Sequence, residues 1–168
     1  MQIRPETPAE YAAIHAVHAA AFGASGEADL VDALRAAGKA VVALIAEEDD
    51  RVVGHVLFSP VTIDTRPTGC AAVGLAPLAV LPAYQRRGIG AALVRAGLDA
   101  CRAAGIALAV VLGDHAYYSR FGFTRAAAAG LDNPYGADEH FMVIALLPGA
   151  LEGVRGMVRY AAEFDALG

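Results

Sequence analysis

Residues 80 to 93 read Val-Leu-Pro-Ala-Tyr-Gln-Arg-Arg-Gly-Ile-Gly-Ala-Ala-Leu. An apolar run closes at Pro82, a short turn carries Gln85, Arg86, Arg87, Gly88 and Gly90, and apolar residues then resume at helical spacing. Glycines at a strand-to-helix turn let backbone approach a ligand closely. The first turn of the following helix offers unbonded N–H groups at the positive end of its dipole, which makes a cradle for a phosphate or pyrophosphate. Two adjacent arginines add mobile positive charge and bidentate contacts. The same residues also describe a glycine-tolerant turn with solvated arginines, and a lone Gly-x-Gly does not separate the two readings.

The elements that must hold this turn follow from patterning. Ile3 lies in a short strand. Thr7-Pro8-Ala9-Glu10 is a capping box with proline at the first helical position, and it predicts a helix over residues 8 to 21. Ser25 opens a second helix with Leu30, Val31 and Leu34 on one face and Gly38 at its end. Residues 40 to 47 and Val52 to Ile63 pair as a hairpin around Glu48-Asp49-Asp50-Arg51. A strand over 72 to 81 leads into the turn and a helix over 88 to 104 leads out of it. The apolar run Ile106 to Leu112 is a strand buried on both faces. Asp114 caps a short helix that Gly122 stops, and Phe141 to Leu147 and Val154 to Tyr160 close the sheet. The expected class is α/β (α+β), one domain over residues 1 to 168 around a mixed sheet.

Composition limits the function. The 168 residues are 57% hydrophobic and 18% charged, enough for one sizeable core. A net charge of −5 lacks the basic footprint that nucleic-acid binding needs. Lys39 is the one lysine among 13 basic residues. Cys70 and Cys101 form no CxxC and have no histidine at finger spacing, so neither a disulfide framework nor a zinc site is expected, and no metal-ligand cluster is evident. Residues 67 to 85 are uncharged and near the length of a membrane span, but Pro67, Gly69, Gly74, Pro77 and Pro82 break them repeatedly. Met1 to Glu6 is polar and has no apolar signal core. A soluble cytoplasmic protein with no membrane or nucleic-acid partner, monomer or homodimer, is the expectation.

The longer run around the turn is more specific than its glycines. Val80, Pro82, Gln85, Gly88 and Gly90 resemble the acyl-CoA-binding motif of the GNAT N-acetyltransferase superfamily, in which an apolar strand and Val-x-Pro precede Gln/Arg-x-x-Gly-x-Gly/Ala. Tyr117-Tyr118-Ser119-Arg120-Phe121-Gly122-Phe123 resembles the superfamily's Tyr-x-x-x-Gly-Phe segment, with Tyr118 four residues before Gly122. Many members carry an asparagine seven residues before that tyrosine. Here the position is Val111, so no role of that asparagine transfers. Segments such as Gly54 to Pro60, Leu75 to Val80 and Leu112 to Asp114 are similar to one bacterial subgroup of uncharacterised predicted N-acetyltransferases.

The resemblance implies a GNAT-like fold: a mixed, mostly antiparallel central sheet, splayed between its fourth and fifth strands and flanked by about four helices. It implies acetyl-CoA as cosubstrate and no metal. Leu78, Ala79 and Val80 would pair with the pantetheine amides. Gln85, Arg86, Arg87, Gly88, Ile89, Gly90 and Ala91 would hold the pyrophosphate. A neutral primary amine would attack the thioester directly, with the Val80 backbone as oxyanion donor and Tyr118 as general acid to the departing thiolate. The base stays open. The strand over 72 to 81 has no Asp or Glu, and Glu27, His55, Asp114, His115 and an ordered water chain are all candidates with structural readings of their own. The acceptor is open too: Asp132, Tyr135, Asp138, Glu139 and His140 would give its pocket an acidic rim suited to a cationic amine, and they suit a solvated loop equally well. A non-catalytic acyl-CoA-binding sensor or regulatory module is the alternative. A plain nucleotide-binding protein is a weaker third, because the cradle follows a mid-chain strand rather than opening a βαβ unit.

Overall fold

The computed structural model describes residues 1–167. The chain forms two compact units, residues 1–59, 76–97 and 162–167 in the first and 60–75 and 98–161 in the second.

In the first unit the capping box forms as the sequence predicts, with Glu10 Oε1 accepting from the Thr7 backbone N–H at 2.9 Å. Pro8–Glu10 is a 3-10 turn, and the helix proper, α1 (Tyr11–Phe22), follows it. Gly23 ends α1 in the left-handed region, and α2 (Gly26–Ala36) follows. Strands β1 (Gln2–Pro5) and β2 (Val42–Glu48) pair antiparallel, as do β2 and β3 (Arg51–Pro60). Asp49 and Asp50, with φ of 54° and 58°, make the tight hairpin turn between β2 and β3, the left-handed pair that such turns require. On its other side β3 neighbours the end of β5 (Ala72–Val80), which runs into the first turns of α3 (Ile89–Ala103). Ile14, Val17, Leu30, Val31 and Leu34 of the helices and Ile45, Val53, Val56 and Phe58 of the strands are buried, so apolar spacing at period 3.6 and apolar runs in strands build one core. Lys39 closes onto Glu163 through a 2.6 Å ion pair.

The expected strand from Val52 to Ile63 is two strands. It stops at Pro60, which has no N–H for a ladder, and Val61 N donates to Ala72 O instead. Thr62–Thr65 is a separate strand, β4.

In the second unit β5 pairs parallel with β6 (Leu108–Leu112) over Ala72↔Leu108, Val73↔Ala109 and Gly74↔Val110, where the pairing ends. α4 (His115–Ser119) leaves β6 and is capped by Asp114 as expected, whose side chain accepts from Tyr117 N at 3.2 Å. Two-residue strands β7 (Thr124–Arg125) and β8 (Leu131–Asp132) follow, too short for any periodicity to announce them. β9 (Phe141–Ala145) runs antiparallel to both β6 and β7. β10 (Arg155–Arg159) pairs antiparallel with β4 and parallel with β8 in a small second sheet. Val61, Leu108, Val110, Leu131, Phe141, Val143 and Val158 form its buried cluster. The fold is thus mixed, mostly antiparallel α/β with four α-helices among the described residues. No described helix is long and apolar enough to cross a membrane, and the uncharged stretch 67 to 85 holds a loop, β5 and a turn.

Candidate functional site

In the first unit, β5 delivers Leu78, Ala79 and Val80 to the start of the turn, Ala79 buried and its neighbours half-buried. Leu81 N donates to Val53 O at 2.8 Å, and the chain turns through Pro82–Tyr84. Gln85 is exposed, and its side chain turns back to donate from Nε2 to Val80 O at 3.0 Å. It therefore ties down the Val80 carbonyl. Arg86 has φ 63° and Gly88 φ 82°. A Cβ on Gly88 would meet nothing within 4 Å, so glycine is required there by the left-handed backbone and not by crowding. The Arg87 guanidinium lies over the Tyr84 ring at 5.1 Å, whose hydroxyl donates to Asp49 at 3.1 Å, so one of the two arginines has its head against an anchored ring. Ile89 is buried and pins the start of α3. The first rung of that helix is Ala92 N to Gly88 O at 3.0 Å, which leaves the N–H groups of Ile89, Gly90 and Ala91 ahead of the helical ladder. The turn has the geometry of an anion cradle.

In the second unit Tyr118 is half-buried on α4. A Cβ on Gly113 would fall 2.2 Å from its ring, so that glycine is what lets the ring lie against the end of β6. Phe123 meets the ring edge-on at 5.7 Å and Tyr117 at 5.0 Å. Burial, with a smaller contribution from Tyr117, pushes the phenol up to about 12. The group is a protonated donor at any physiological pH. Asp114 is occupied as the helix cap, and His115 is exposed. The loop 132–140 is tied by Asn133, whose Oδ1 accepts from Tyr135 N at 2.9 Å and whose Nδ2 donates to Asp138 at 3.1 Å. Asp132, Asp138, Glu139 and His140 all face solvent.

Residues 2–126 match the family described as the acetyltransferase (GNAT) domain. The chain belongs to the GNAT acetyltransferase family. A relative from Escherichia coli strain K12, the uncharacterised N-acetyltransferase YhbS, is 41% identical over 167 residues, 98% of this chain and 99% of the relative. A crystal structure of the E. coli GNAT N-acetyltransferase YhbS in complex with CoA covers 99% of this chain and 93% of its own, at 40% identity and a TM-score of 0.92. A GNAT family acetyltransferase from Brucella melitensis, solved in complex with acetyl-CoA, is 40% identical, covers 98% of this chain and 97% of its own, and has a TM-score of 0.80.

Two features of this GNAT acetyltransferase went unseen in the sequence. His55 is fully buried, and Glu6 Oε1 lies 2.8 Å from its Nε2. His55 Nδ1 lies 2.8 Å from Nε2 of His18, which is also fully buried. Arg35 holds the same carboxylate through Nε at 2.8 Å and a second nitrogen at 3.0 Å, with its guanidinium 3.7 Å over the Tyr11 ring. Burial alone would raise Glu6, but the bonds from His55 and Arg35 outweigh it and bring the carboxyl down to about 2. Burial lowers His18 to about 3, helped by His55, and lowers His55 despite Glu6. His18 Nδ1 is buried without a partner. Such an atom costs about 1–3 kcal/mol of lost solvation. A polar residue at each of positions 6, 18 and 55 leaves no motif, and only the approach of α1 and of the residue after β1 to β3 joins them.

The second is a cluster of His15, Asp29 and Asp32, whose ligand atoms lie within 4.8 Å of one another. The sequence showed no metal-ligand cluster because these residues come from two helices. Each acid is already engaged, Asp32 by His15 at 2.9 Å and Arg35 at 3.2 Å, and Asp29 by Ser25 at 3.0 Å. The cluster is a hydrogen-bonded polar seam between α1 and α2.

Proposed function

We propose that this chain moves an acetyl group from acetyl-CoA to a primary amine by direct attack of the neutral amine on the thioester carbonyl. The observation that carries the reading is the turn after β5, where left-handed Arg86 and Gly88 lead into a fifteen-residue helix whose N–H groups at Ile89, Gly90 and Ala91 lie ahead of its first rung. That cradle suits a pyrophosphate, and Arg86 and Arg87 supply countercharge beside it. The CoA and acetyl-CoA complexes of the two 40%-identical relatives support the same ligand.

Leu78 to Val80 would bond the pantetheine arm. The Val80 N–H would meet the charge that develops on the thioester oxygen, since a preplaced donor stabilises an oxyanion without reorganising, and Gln85 ties down the carbonyl of the same residue. Tyr118, kept protonated by its burial, would donate to the departing sulfur. A module that only senses acyl-CoA would need the cradle but no acid.

Calorimetric titration with CoA, followed by thiol release from acetyl-CoA against polyamines, amino acids, aminoglycosides and peptide amines, tests the reading. Saturable thiol release with at least one amine is expected. CoA binding with no release for any amine would leave the sensor reading in its place.

A further inference from the structure

We propose that His18, His55 and Glu6 form a proton relay that takes the proton released by the acceptor amine, entered at His18 Nδ1. The inference rests on the transferase reading and assigns the base that the sequence left open.

Direction in the chain follows from its acid end. Glu6 is a carboxylate fixed by Arg35, so it accepts only, and His55 must donate to it from Nε2. A neutral His55 then has its lone pair on Nδ1, and His18 must donate to that from its own Nε2. The lone pair of His18 is thereby forced onto Nδ1, the buried atom with no partner. Two imidazoles in line thus present one fixed acceptor, and a tautomer shift through both leads to a carboxylate.

Its place in the first unit is favourable. Leu81 N bonds Val53 O, and a Cβ on Gly54 would come within 3.3 Å of Ala79 O. His55, the next residue, therefore lies alongside the Leu78 to Val80 segment on the neighbouring strand. At the far end, the His18 ring stacks parallel to Phe22 with centroids 6.2 Å apart, and Phe22 is 45% exposed. The His18 ring thus neighbours a partly exposed side chain.

The step balances without a co-reactant. The amine nitrogen bonds to the thioester carbon and becomes positively charged. One of its protons passes to His18 Nδ1, the Nε2 proton of His18 moves to His55 Nδ1, and that of His55 shifts toward Glu6. The carbon–sulfur bond breaks and the sulfur takes the Tyr118 proton. The proton gained by the relay and the one lost by Tyr118 then exchange with solvent. The nitrogen is far more acidic once bonded to that carbon than as a free ammonium, so its proton can pass to a positioned imidazole. Glu6, Arg35, His15 and Tyr11 are the charged and titratable groups around the pair, and Arg35 keeps the relay from retaining the proton.

NMR of the full chain labelled with 15N-histidine reads the tautomers directly. Both imidazoles are expected neutral and protonated on Nε2 between about pH 6 and 8, and an amine that supports thiol release should shift His18 Nδ1. A resident proton on His18 Nδ1 at neutral pH, or no shift with such an amine, overturns the relay whether or not any variant folds. In folded His18→Gln, kcat should fall about 10- to 100-fold while acetyl-CoA affinity holds within about threefold. An unchanged kcat overturns the relay and leaves the transferase reading standing. A wild-type chain that binds CoA and acetylates no amine overturns the transferase reading, and the relay with it.

Discussion

In the proposed reaction Tyr118 matters through a single atom, its phenolic proton. Replacing it with phenylalanine keeps the ring against Gly113 and Phe123 and removes only the proton. Acetyl-CoA affinity for Tyr118→Phe should stay within about threefold and turnover should drop roughly ten- to a thousandfold, read by steady-state thiol release. Tyr117→Phe is the control, since Tyr117 turns about 100° away on the same short helix and carries Arg120 on its face at 4.7 Å. A loss confined to Tyr117→Phe would shift the acid by one residue. At this scale the sequence was half legible. Tyr118, Gly88 and Asp114 announced themselves because each sits in a local pattern that the backbone must satisfy. Glu6, His18 and Arg35 did not, because their partnership exists only across separate elements. His55 was visible as a candidate but not with its neighbours.

At the scale of elements the decisive joint is the one between β5 and α3. Gly88→Val places a β-branched residue at φ 82° in a turn where space is free, so its effect falls on backbone conformation. CoA affinity should weaken by about tenfold or more while thermal stability drops by roughly 1–3 kcal/mol, measured by calorimetric titration and by denaturant melts. Affinity equal to wild type in the folded variant would remove the cradle from the ligand site. The elements themselves were legible wherever a cap or a breaker marked them, as at Thr7, Asp114 and Gly105. The long expected strand failed at Pro60 because apolar alternation continues across a residue that cannot donate to a ladder. β7 and β8 were invisible, since two residues carry no period.

For the whole molecule, the buried relay ties stability to pH. The folded-state values of His18, His55 and Glu6 all lie below the ordinary values of 6.5 and 4.5. In each case the unfolded chain binds protons more readily, so stability rises with pH through the gap between the two values. Thermal melts should therefore show full stability above about pH 6.5, a first decline below it as unfolding lets the imidazoles charge, and a steeper one below about pH 4.5 as Glu6 adds its share. His18→Phe should flatten the first decline and leave the second. A melting temperature that is level from pH 7 to about pH 5 would contradict this assignment.

The Lys39–Glu163 contact has a bearing on chemical durability. A protein that handles activated thioesters all its life presents its own amines as bystander targets, and arginine is not one of them. With twelve arginines and a single lysine, that lysine clasped by Glu163 at 2.6 and 3.1 Å, the chain offers its acyl donor almost nothing of itself to modify. Slow self-inactivation by lysine acylation has one side-chain address here, and that address is occupied.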